Sequence, residues 1–458
     1  MPEKRENNIC VTTLAVQSTK AARGGLVRSI GRWSLAALMV NSIIGSGIFG
    51  LPSLITRQLG AAGPVAWVAA AVFSGIIMLC FAEVASRFTE TGGPYLYARV
   101  AFGRFTGILM GWLTWLVRLA SAAANVNLFV IYLAEFWMRA QSPVPRVIVL
   151  TALIAMLTAI NYVGVNAGTQ LSNVFTVAKL LPLSVFIVLG GVYLFSHHQP
   201  VHVGLASTGT GSWLDAMILM VFAYGGFEGA LLPTGEAKDP RRDAPFALIV
   251  ALITCAVVYT LVQVVVIGVL PNAAASDRPL ATAARVFMGE AGTAFISVGA
   301  LLSIYGYLSS MILNTPRLTF ALAEQGDFPR IFAAIHPRFR TPYFSIVVFA
   351  VLLWILAFTG SFQWNVVLSA VARLFYYGIV CAALIVLRRR APREARFRLP
   401  AGPGLAITGI ALCLVFLTAM QRGSFYILAM VAVIALLNWI WASRRAEASL
   451  RAPSSGNQ

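Results

Sequence analysis

Two glycine-containing breaks in long apolar segments constrain this chain more than any other feature. The first lies in Asn41–Phe49, around Gly45-Ser46-Gly47, and the second lies in Phe222–Glu228, around Gly225-Gly226. Each break interrupts a segment long enough to cross a bilayer. Irregular backbone is tolerated at that depth only where it is buried in protein or lines a cavity. Paired breaks at corresponding positions of two halves therefore indicate a transporter's substrate site.

The composition is that of a polytopic membrane protein. Hydrophobic residues make up 59% and charged residues 11% of the 458 residues, well outside the balance of a soluble domain. Apolar windows of about 18 to 25 residues, the length that a helix needs to cross the hydrocarbon core, recur along the chain. We predict twelve spans, at residues 33–57, 63–86, 104–138, 145–162, 169–195, 213–235, 244–270, 292–323, 343–359, 363–387, 404–420 and 425–442.

The formal net charge of +18 would suggest nucleic acid as the partner of a soluble protein, but its distribution here indicates a membrane instead. With a cytoplasmic amino terminus, most basic residues fall in cytoplasmic loops and tails, as the positive-inside rule requires. Twelve spans return the carboxyl terminus to the same side. We therefore predict a multi-pass protein of the cell (inner) membrane with both termini cytoplasmic. The opposite face would carry only Arg57, Arg139, Arg146, Arg278, Arg285 and Arg422.

No signal peptide, disulfide framework, metal site or cofactor is expected. Residues 1–31 lack the short apolar core of a signal peptide and read as a cytoplasmic tail. The five cysteines are scattered, without the spacing of a disulfide framework or a metal site. His197, His198 and His202 share a loop, but neither Cys nor Asp accompanies them, so a solvated loop is the better interpretation.

Breaking a helix inside the membrane releases backbone groups that can bind a ligand. At the first break, the N–H groups near Ser46 and Gly47 form the positive end of the outer half-helix, which suits a carboxylate. The carbonyls near Ser42 and Ile43 suit an ammonium group. At the second break, Phe222, Ala223 and Tyr224 supply further carbonyls. The alternative, that the glycines only allow close helix packing, explains a single break better than a matched pair.

Several motifs resemble the amino acid–polyamine–organocation (APC) transporters, from about residue 33 to 445. The resemblance implies an all-α, LeuT-like architecture, in which spans one to five and six to ten are inverted repeats and spans one and six are unwound at mid-membrane. The implied units are residues 32–195 and 213–390 for the repeats, 196–212 for an extracellular loop, 391–445 for two extra spans, and cytoplasmic tails at 1–31 and 446–458. The motifs are Ser42–Phe49, Ala82–Phe88, Gly92–Tyr95, Asn173–Leu181, Phe222–Phe227, Pro316-Arg317, Gly326–Pro329 and His336–Pro342.

The resemblance also implies roles for individual residues. Ile43, Ser46 and Gly47 would meet the carboxylate and amine of an amino acid substrate. Phe222 would act as an aromatic lid, and Gly225 would lie beneath the substrate's side chain. A glycine at that position leaves room, which favours substrates larger than alanine.

Lys179 lies deep within span five, where an unpaired ammonium costs a few kcal/mol. In related transporters this lysine occupies the place of a coupling sodium ion, between spans one, five and eight. Because burial disfavours the charged form, the lysine could exchange a proton during transport. Its expected partners in span eight are Ser303, Ser309 and Ser310. The alternative is a permanently charged strut between spans five and one.

Further polar residues inside the spans have two interpretations each. Glu228 could titrate during transport, or it could be held by backbone donors of the outer half-helix or by a partner in span seven. Arg118 in span three could receive a polar or anionic substrate side chain, or it could pair with an internal acid such as Glu83. Asn125 and Asn127 could line the path or join helices. Arg317 and Arg373 are expected to extend toward the cytoplasmic ends of spans eight and ten.

An enzyme is not expected, because the chain has no H-E-x-x-H, G-x-S-x-G or P-loop motif. Neither the charge rings nor the carbonyl filter of a channel is evident. No obligatory protein partner is expected, because residues 139–146 lack the cysteine through which some relatives bind a glycoprotein. The predicted function is amino acid transport by alternating access, coupled to protons. Exchange, uniport, polyamine or organic cation transport and a transceptor role remain alternatives.

Overall fold

The computed structural model describes residues 31–88, 92–164, 169–198, 203–204, 209–231, 238–390, 395 and 397–451. Within these ranges the chain is helical and contains no β-strand. The helices, in chain order, are α1 (Arg32–Ile43), α2 (Gly47–Leu59), α3 (Gly63–Ala85), α4 (Gly93–Phe102), α5 (Arg104–Leu133), α6 (Pro143–Val163), α7 (Thr169–Ser196), α8 (Thr210–Tyr224), α9 (Phe227–Ala230), α10 (Pro240–Val269), α11 (Pro279–Glu324), α12 (Tyr343–Thr359), α13 (Phe362–Arg390), α14 (Gly402–Leu417) and α15 (Arg422–Arg451).

The helices confirm the predicted all-α polytopic architecture. Eight segments of the described chain are long and apolar enough to cross a membrane, and α12 and α14 are shorter apolar helices. Each predicted span corresponds to a helix or, for spans one and six, to a pair of half-helices. Many large apolar side chains face outward, including Val72, Val188 and Leu437. Such outward apolar surface is expected of a protein whose solvent is lipid.

Both predicted breaks are confirmed in position. α1 ends at Ile43 and α2 begins at Gly47, so Gly45-Ser46 lies between two half-helices. α8 ends at Tyr224 and α9 begins at Phe227, so Gly225-Gly226 forms the second interruption. The first span of each group of five is thus the broken one, as the sequence indicates.

Two elements differ from the sequence-based expectation. α4 is a separate ten-residue helix between spans two and three, too short to cross the bilayer. α11 consists of two helical parts that meet at a bend at Gly289, where φ is 67° and ψ is −160°. This conformation is open to glycine and strained for other residues. The part after the bend corresponds to the predicted span 292–323, whereas the part before it, from Pro279, was not predicted.

A buried aspartate joins the loop after α11 to three other elements. The Asp327 side chain is fully buried and accepts from Arg104 Nε at 2.8 Å, while Tyr95 and Arg99 of α4 also bind it. Asn438 of α15 donates to the Asp327 carbonyl at 2.8 Å. Burial and the neighbouring Asp327 carboxylate raise the pKa of Tyr95, so its hydroxyl stays protonated and acts as the donor. The Gly326–Pro329 motif therefore has a structural role in this fold.

Candidate functional site

A small cavity lies between the two breaks. It has a volume of about 10 Å³, which is roughly the space for one water molecule. The predicted residues Ile43, Ser46, Gly47, Phe222, Ala223 and Gly225 all line it, together with Ser42, Gly45, Asn125, Tyr307 and Arg373. The structure therefore brings the two broken spans together around a single enclosed space, with α5, α11 and α13 completing the wall.

The first break presents free polar groups to this cavity. The Ser46 hydroxyl is buried and has no hydrogen-bond partner within the described residues. The first N–H groups of α2 follow it, and such groups have no acceptor inside their own helix. Gly47 is packed closely, because a Cβ added there would lie 3.2 Å from Ala223 Cα. A side chain there would push against α8, apart from any contact with substrate, so the close packing of the two breaks favours glycine at this position.

A tyrosine that the sequence analysis did not single out connects the two breaks. The Tyr259 hydroxyl, on α10, lies 3.1 Å from both the Ile43 carbonyl and the Ala223 carbonyl. These are two of the carbonyls expected to bind an ammonium, and each keeps a second lone pair. A buried tyrosine in an apolar helix usually finds a polar partner, but nothing in the sequence identifies which one.

The second break also depends on close backbone approach. Gly226 has φ of 109°, and a Cβ there would lie 2.4 Å from the Ser42 carbonyl oxygen. The Ser42 hydroxyl donates to the Gly226 carbonyl at 2.7 Å. Gly226 is therefore fixed as glycine by conformation and by its contact with the first break.

The aromatic residues flanking the second break face different ways. Phe222 lines the cavity, as expected, and its ring lies 5.6 Å from the Arg373 guanidinium carbon. Tyr224 is directed toward α3 instead, where its hydroxyl donates to the Trp67 carbonyl at 3.0 Å. Tyr224 does not line the cavity. Its contribution to the site is the packing of its ring against Tyr259, with centroids 5.3 Å apart.

Arg373 overturns two expectations. It does not extend toward the cytoplasmic end of span ten, because it is 3% exposed and its Nε lies 3.0 Å from Glu228 Oε1. It also fills the space beside Gly225, where an added Cβ would lie 2.4 Å from its Nε. The room that Gly225 was expected to leave for a large side chain is therefore occupied by a guanidinium in this conformation.

Glu228 is held from two sides. Besides the Arg373 ion pair, its Oε2 accepts from the Gly226 N–H at 2.8 Å. The backbone donor was one of the anticipated partners, whereas the arginine of α13 was not. Glu228 therefore anchors the second break to α13 in this conformation.

Arg118 does not pair with Glu83. The Glu83 carboxylate is fully buried, and Arg388 and Arg87 bind it at 2.7 and 3.3 Å. Arg118 is 7% exposed and lies near Glu228 and Arg373 rather than near Glu83. It does not line the small cavity itself. Its Nη2 lies 3.6 Å from the position that a Cβ on Gly229 would occupy, which places it just beyond the second break.

Lys179 joins span five to the first break. Its Nζ donates to the Asn41 and Ile44 carbonyls at 2.9 and 3.0 Å, and the residue is 2% exposed. The expected serine partners do not take part in these bonds. Ser310 is exposed, Ser309 is partly exposed, and Ser303 is buried with its hydroxyl unpartnered within the described chain.

The two asparagines of α5 have different roles. Asn125 lines the cavity; its amide nitrogen donates to the Ser121 carbonyl at 2.8 Å, and its Oδ1 has no partner among the described residues. Asn127 joins helices instead, since its amide binds the Ala357 carbonyl at 3.2 Å and its Oδ1 accepts from Arg146 at 2.8 Å. Asn125 is therefore an additional acceptor facing the site.

A comparison with known families identifies the family of this chain. The family model described as amino acid permease matches residues 30–443. The chain belongs to the amino acid permease family. The match confirms the resemblance to APC transporters seen in the motifs, and it makes the chain a multi-pass membrane transporter and not an enzyme.

Several curated proteins are similar to this permease over most of their length. The methylthioribose transporter of Bacillus subtilis strain 168 is 27% identical, over 89% of this chain and 91% of that protein. The serine/threonine exchanger SteT of the same strain is 27% identical, over 88% of this chain and 91% of its own. The branched-chain amino acid permease BcaP of that strain is 26% identical, over 87% of this chain and 90% of its own.

Proposed function

We propose that this permease carries amino acids across the cytoplasmic membrane by alternating access, with the substrate's α-carboxylate and α-ammonium held between the two breaks. One observation carries the proposal: both half-helix ends line a single enclosed cavity, and the Ser46 hydroxyl faces it unpartnered within the described residues. An unpartnered buried hydroxyl is costly unless a ligand satisfies it. The names of relatives such as SteT and BcaP agree with this substrate class.

The two ends of an amino acid would bind at opposite sides of the first break. The carboxylate fits the Ser46 hydroxyl and the first N–H groups of α2, where the helix dipole is positive. The ammonium fits the Ile43 and Ala223 carbonyls, which already accept from Tyr259, and the free Asn125 Oδ1. These groups recognise the zwitterion without a charged protein side chain.

The volume of about 10 Å³ is too small for an amino acid. Substrate entry therefore requires that the half-helices separate or that Arg373 leave the space beside Gly225. Such a rearrangement around a fixed central site is the usual mode of alternating access in transporters with broken helices.

Proton coupling through Lys179 is the finer part of this proposal. Its ammonium lies at the end of α1, so its charge acts directly on the carbonyls beside the site. Loss of the proton would weaken both bonds and release α1 from α7. A permanently charged Lys179 would instead hold the two helices together throughout the cycle, as in an exchanger or a uniporter. Glu228 is the second candidate for proton exchange.

The substrate site is tested by uptake into proteoliposomes and by thermal shifts of the purified permease with amino acids. Ser46→Ala removes the unpartnered hydroxyl and is expected to raise the apparent KM at least severalfold. Ser53→Ala is the matched control, because Ser53 is a buried serine of the adjacent helix α2 that already donates to the Gly50 carbonyl at 3.3 Å. Equal effects of the two substitutions, or no stabilisation by any amino acid, would refute the site.

The coupling proposal is tested by an imposed pH gradient. Wild-type vesicles are expected to concentrate substrate when the outside is acidic, and Lys179→Ala is expected to bind substrate without concentrating it. If the wild type only equilibrates substrate across the membrane, Lys179 stays permanently charged during transport. Gradient-driven uptake that persists in Lys179→Ala would assign the coupling to another group, with Glu228 the next to test.

We also propose that both termini are cytoplasmic, with repeats at residues 32–195 and 213–390, an extracellular loop at 196–212, two further spans within 391–445, and cytoplasmic tails at 1–31 and 446–458. The support is the concentration of basic residues in alternate loops. Single cysteines placed in the tails of a cysteine-free variant should react with an impermeant maleimide only after the cells are permeabilised. No protein partner is needed for the function proposed.

A further inference from the structure

Three charged side chains meet beside the substrate cavity, and their charges do not balance. Glu228 supplies one negative charge, whereas Arg118 and Arg373 supply two positive charges. All three residues are buried, with Arg118 and Glu228 each 7% and Arg373 3% exposed. Ionisable groups inside a membrane protein are costly and usually mark a substrate path or an internal pair. Here the internal pair accounts for only one of the two arginines.

The Glu228 carboxylate is already occupied. Arg373 Nε binds Oε1 at 3.0 Å and the Gly226 N–H binds Oε2 at 2.8 Å. Arg373 also donates to Ser369 at 3.0 Å. Arg118 makes no ion pair and no hydrogen bond with any described residue. It nevertheless lies close enough to Glu228 and Arg373 to interact electrostatically with both.

No other acid is available to neutralise Arg118 within the described chain. Glu83 is committed to Arg87 and Arg388, and Asp327 is committed to Arg99 and Arg104. Both networks lie outside the wall of the cavity. Among the described residues, the excess positive charge therefore lies beside the substrate cavity.

The position of the excess charge matches that of a substrate side chain. Arg373 fills the space beside Gly225, beneath the expected side-chain position. Arg118 lies next to the second break, because a Cβ added to Gly229 would lie 3.6 Å from Arg118 Nη2 and 3.8 Å from the Ser42 hydroxyl oxygen. An anionic group entering beside Gly225 would meet Arg373 and would add a negative charge to the group of charges with which Arg118 interacts, so that Glu228 and the substrate together balance both arginines.

We propose that the substrates of this permease are acidic amino acids, whose side-chain carboxylate completes the cluster formed by Arg118, Glu228 and Arg373. This inference rests on the proposed amino acid transport and adds the substrate class. A neutral side chain would leave one buried guanidinium unpaired, and a cationic one would be repelled by the excess positive charge. Arg118 is then a specificity-determining residue, because its charge creates the need for a second carboxylate.

The experiment compares acids with their amides, which have nearly the same shape. Competition for uptake into proteoliposomes is measured with L-aspartate, L-glutamate, L-asparagine, L-glutamine, L-serine and L-lysine. The wild type is expected to prefer each acid over its amide by at least tenfold. Arg118→Gln is expected to abolish that preference, so that each acid competes no better than its amide, whereas Arg118→Lys, which keeps the charge, is expected to retain part of it.

Arg317→Gln is the matched control, because Arg317 is an exposed arginine of α11 and its loss should leave selectivity unchanged. A wild type that transports neutral or basic amino acids without competition by acids would refute the inference and leave the proposed function standing. Retention of the acid preference in Arg118→Gln would refute the role of Arg118. A wild type that transports no amino acid would refute the proposed function itself. If Arg118→Gln fails to fold, competition in the wild type and in Arg118→Lys still decides.

Discussion

In the cluster of Arg118, Glu228 and Arg373, we predict that loss of the Glu228 charge lowers the stability of the protein more than loss of the Arg373 charge. Glu228→Gln keeps the shape of the side chain and an oxygen that can accept from Gly226, but it leaves two buried guanidiniums with no negative charge. Arg373→Gln removes one guanidinium and leaves Glu228 beside Arg118. The first variant therefore ends with two uncompensated charges, and the second with none.

The magnitudes follow from the geometry. With a 3.0 Å contact between Arg373 Nε and Glu228 Oε1, the charge centres lie about 4 Å apart, which gives an attraction of about 4 kcal/mol at an effective dielectric constant of 20. Removing one member of a buried pair typically costs about 3 to 5 kcal/mol. We expect that cost for Glu228→Gln. Arg373→Gln should cost about 1.5 to 3 kcal/mol, the value of hydrogen bonds to a charged group, because Arg118 takes over as the counter-charge.

The assay measures the stability of the purified permease in a single detergent, both as a melting temperature and by denaturant titration. It is applied to the wild type, to both single variants and to the double variant. The double variant keeps only the Arg118 charge, so we expect it to be more stable than Glu228→Gln alone. The reasoning would be refuted if Arg373→Gln were as destabilising as Glu228→Gln, or if the two effects were additive, since residues in one charge network are expected to couple.

Three further substitutions test other contacts. Gly226→Ala should prevent recovery of monodisperse protein, because the added Cβ would lie 2.4 Å from the Ser42 carbonyl oxygen. Gly378→Ala is the control and should be recovered normally, because a Cβ there meets no atom within 4 Å. Equal yields of the two variants would contradict the contact at Gly226. Tyr259→Phe should destabilise the protein by about 1 to 3 kcal/mol, because it removes the one O–H donor that is shared between the Ile43 and Ala223 carbonyls. An unchanged melting temperature would exclude this bridge. Asp327→Asn should lower the melting temperature and increase proteolysis of the loop after α11, and unaltered proteolysis would count against its anchoring role.

The breaks could be predicted from sequence because their signal is local. Glycine weakens a helix, and breaks at corresponding positions of two halves indicate a pair of unwound spans, so Gly45-Ser46 and Gly225-Gly226 lie where the sequence places them. A glycine pair alone is not sufficient, because Gly190-Gly191 leaves α7 unbroken. The span count follows in the same way from apolar length. The part of α11 before the bend at Gly289 was not predicted, because about ten residues are too few to register as a membrane-spanning window.

The partners of buried charges could not be predicted, since they depend on contacts between distant parts of the chain. Arg373 and Glu228 are 145 positions apart, and an arginine near polar residues in span ten looks the same from sequence whether it extends to the interface or turns inward. Arg118 was noticed because a charge in that span is unexpected. Its expected partner Glu83 instead pairs with Arg388, 305 positions away, and such a long-range contact can be seen only in the folded structure. Lys179 was correctly placed against span one, and its carbonyl partners emerged only from the fold.

The Tyr259 hydroxyl has a consequence for leakage. It binds the last carbonyl of α1, the half-helix proposed to face the cytoplasm, and a carbonyl in the last turn of α8, the half-helix proposed to face the exterior. A single donor thus ties together the ends of the two segments that would have to move to open opposite sides. Displacing either half-helix alone would lengthen this hydrogen bond. Opening on one side of the membrane is therefore coupled to the position of the half-helix on the other side. This coupling would keep both sides from being open at the same time, which would otherwise form a continuous pore. We therefore expect vesicles that contain the Tyr259→Phe variant to lose accumulated substrate faster than vesicles with the wild type.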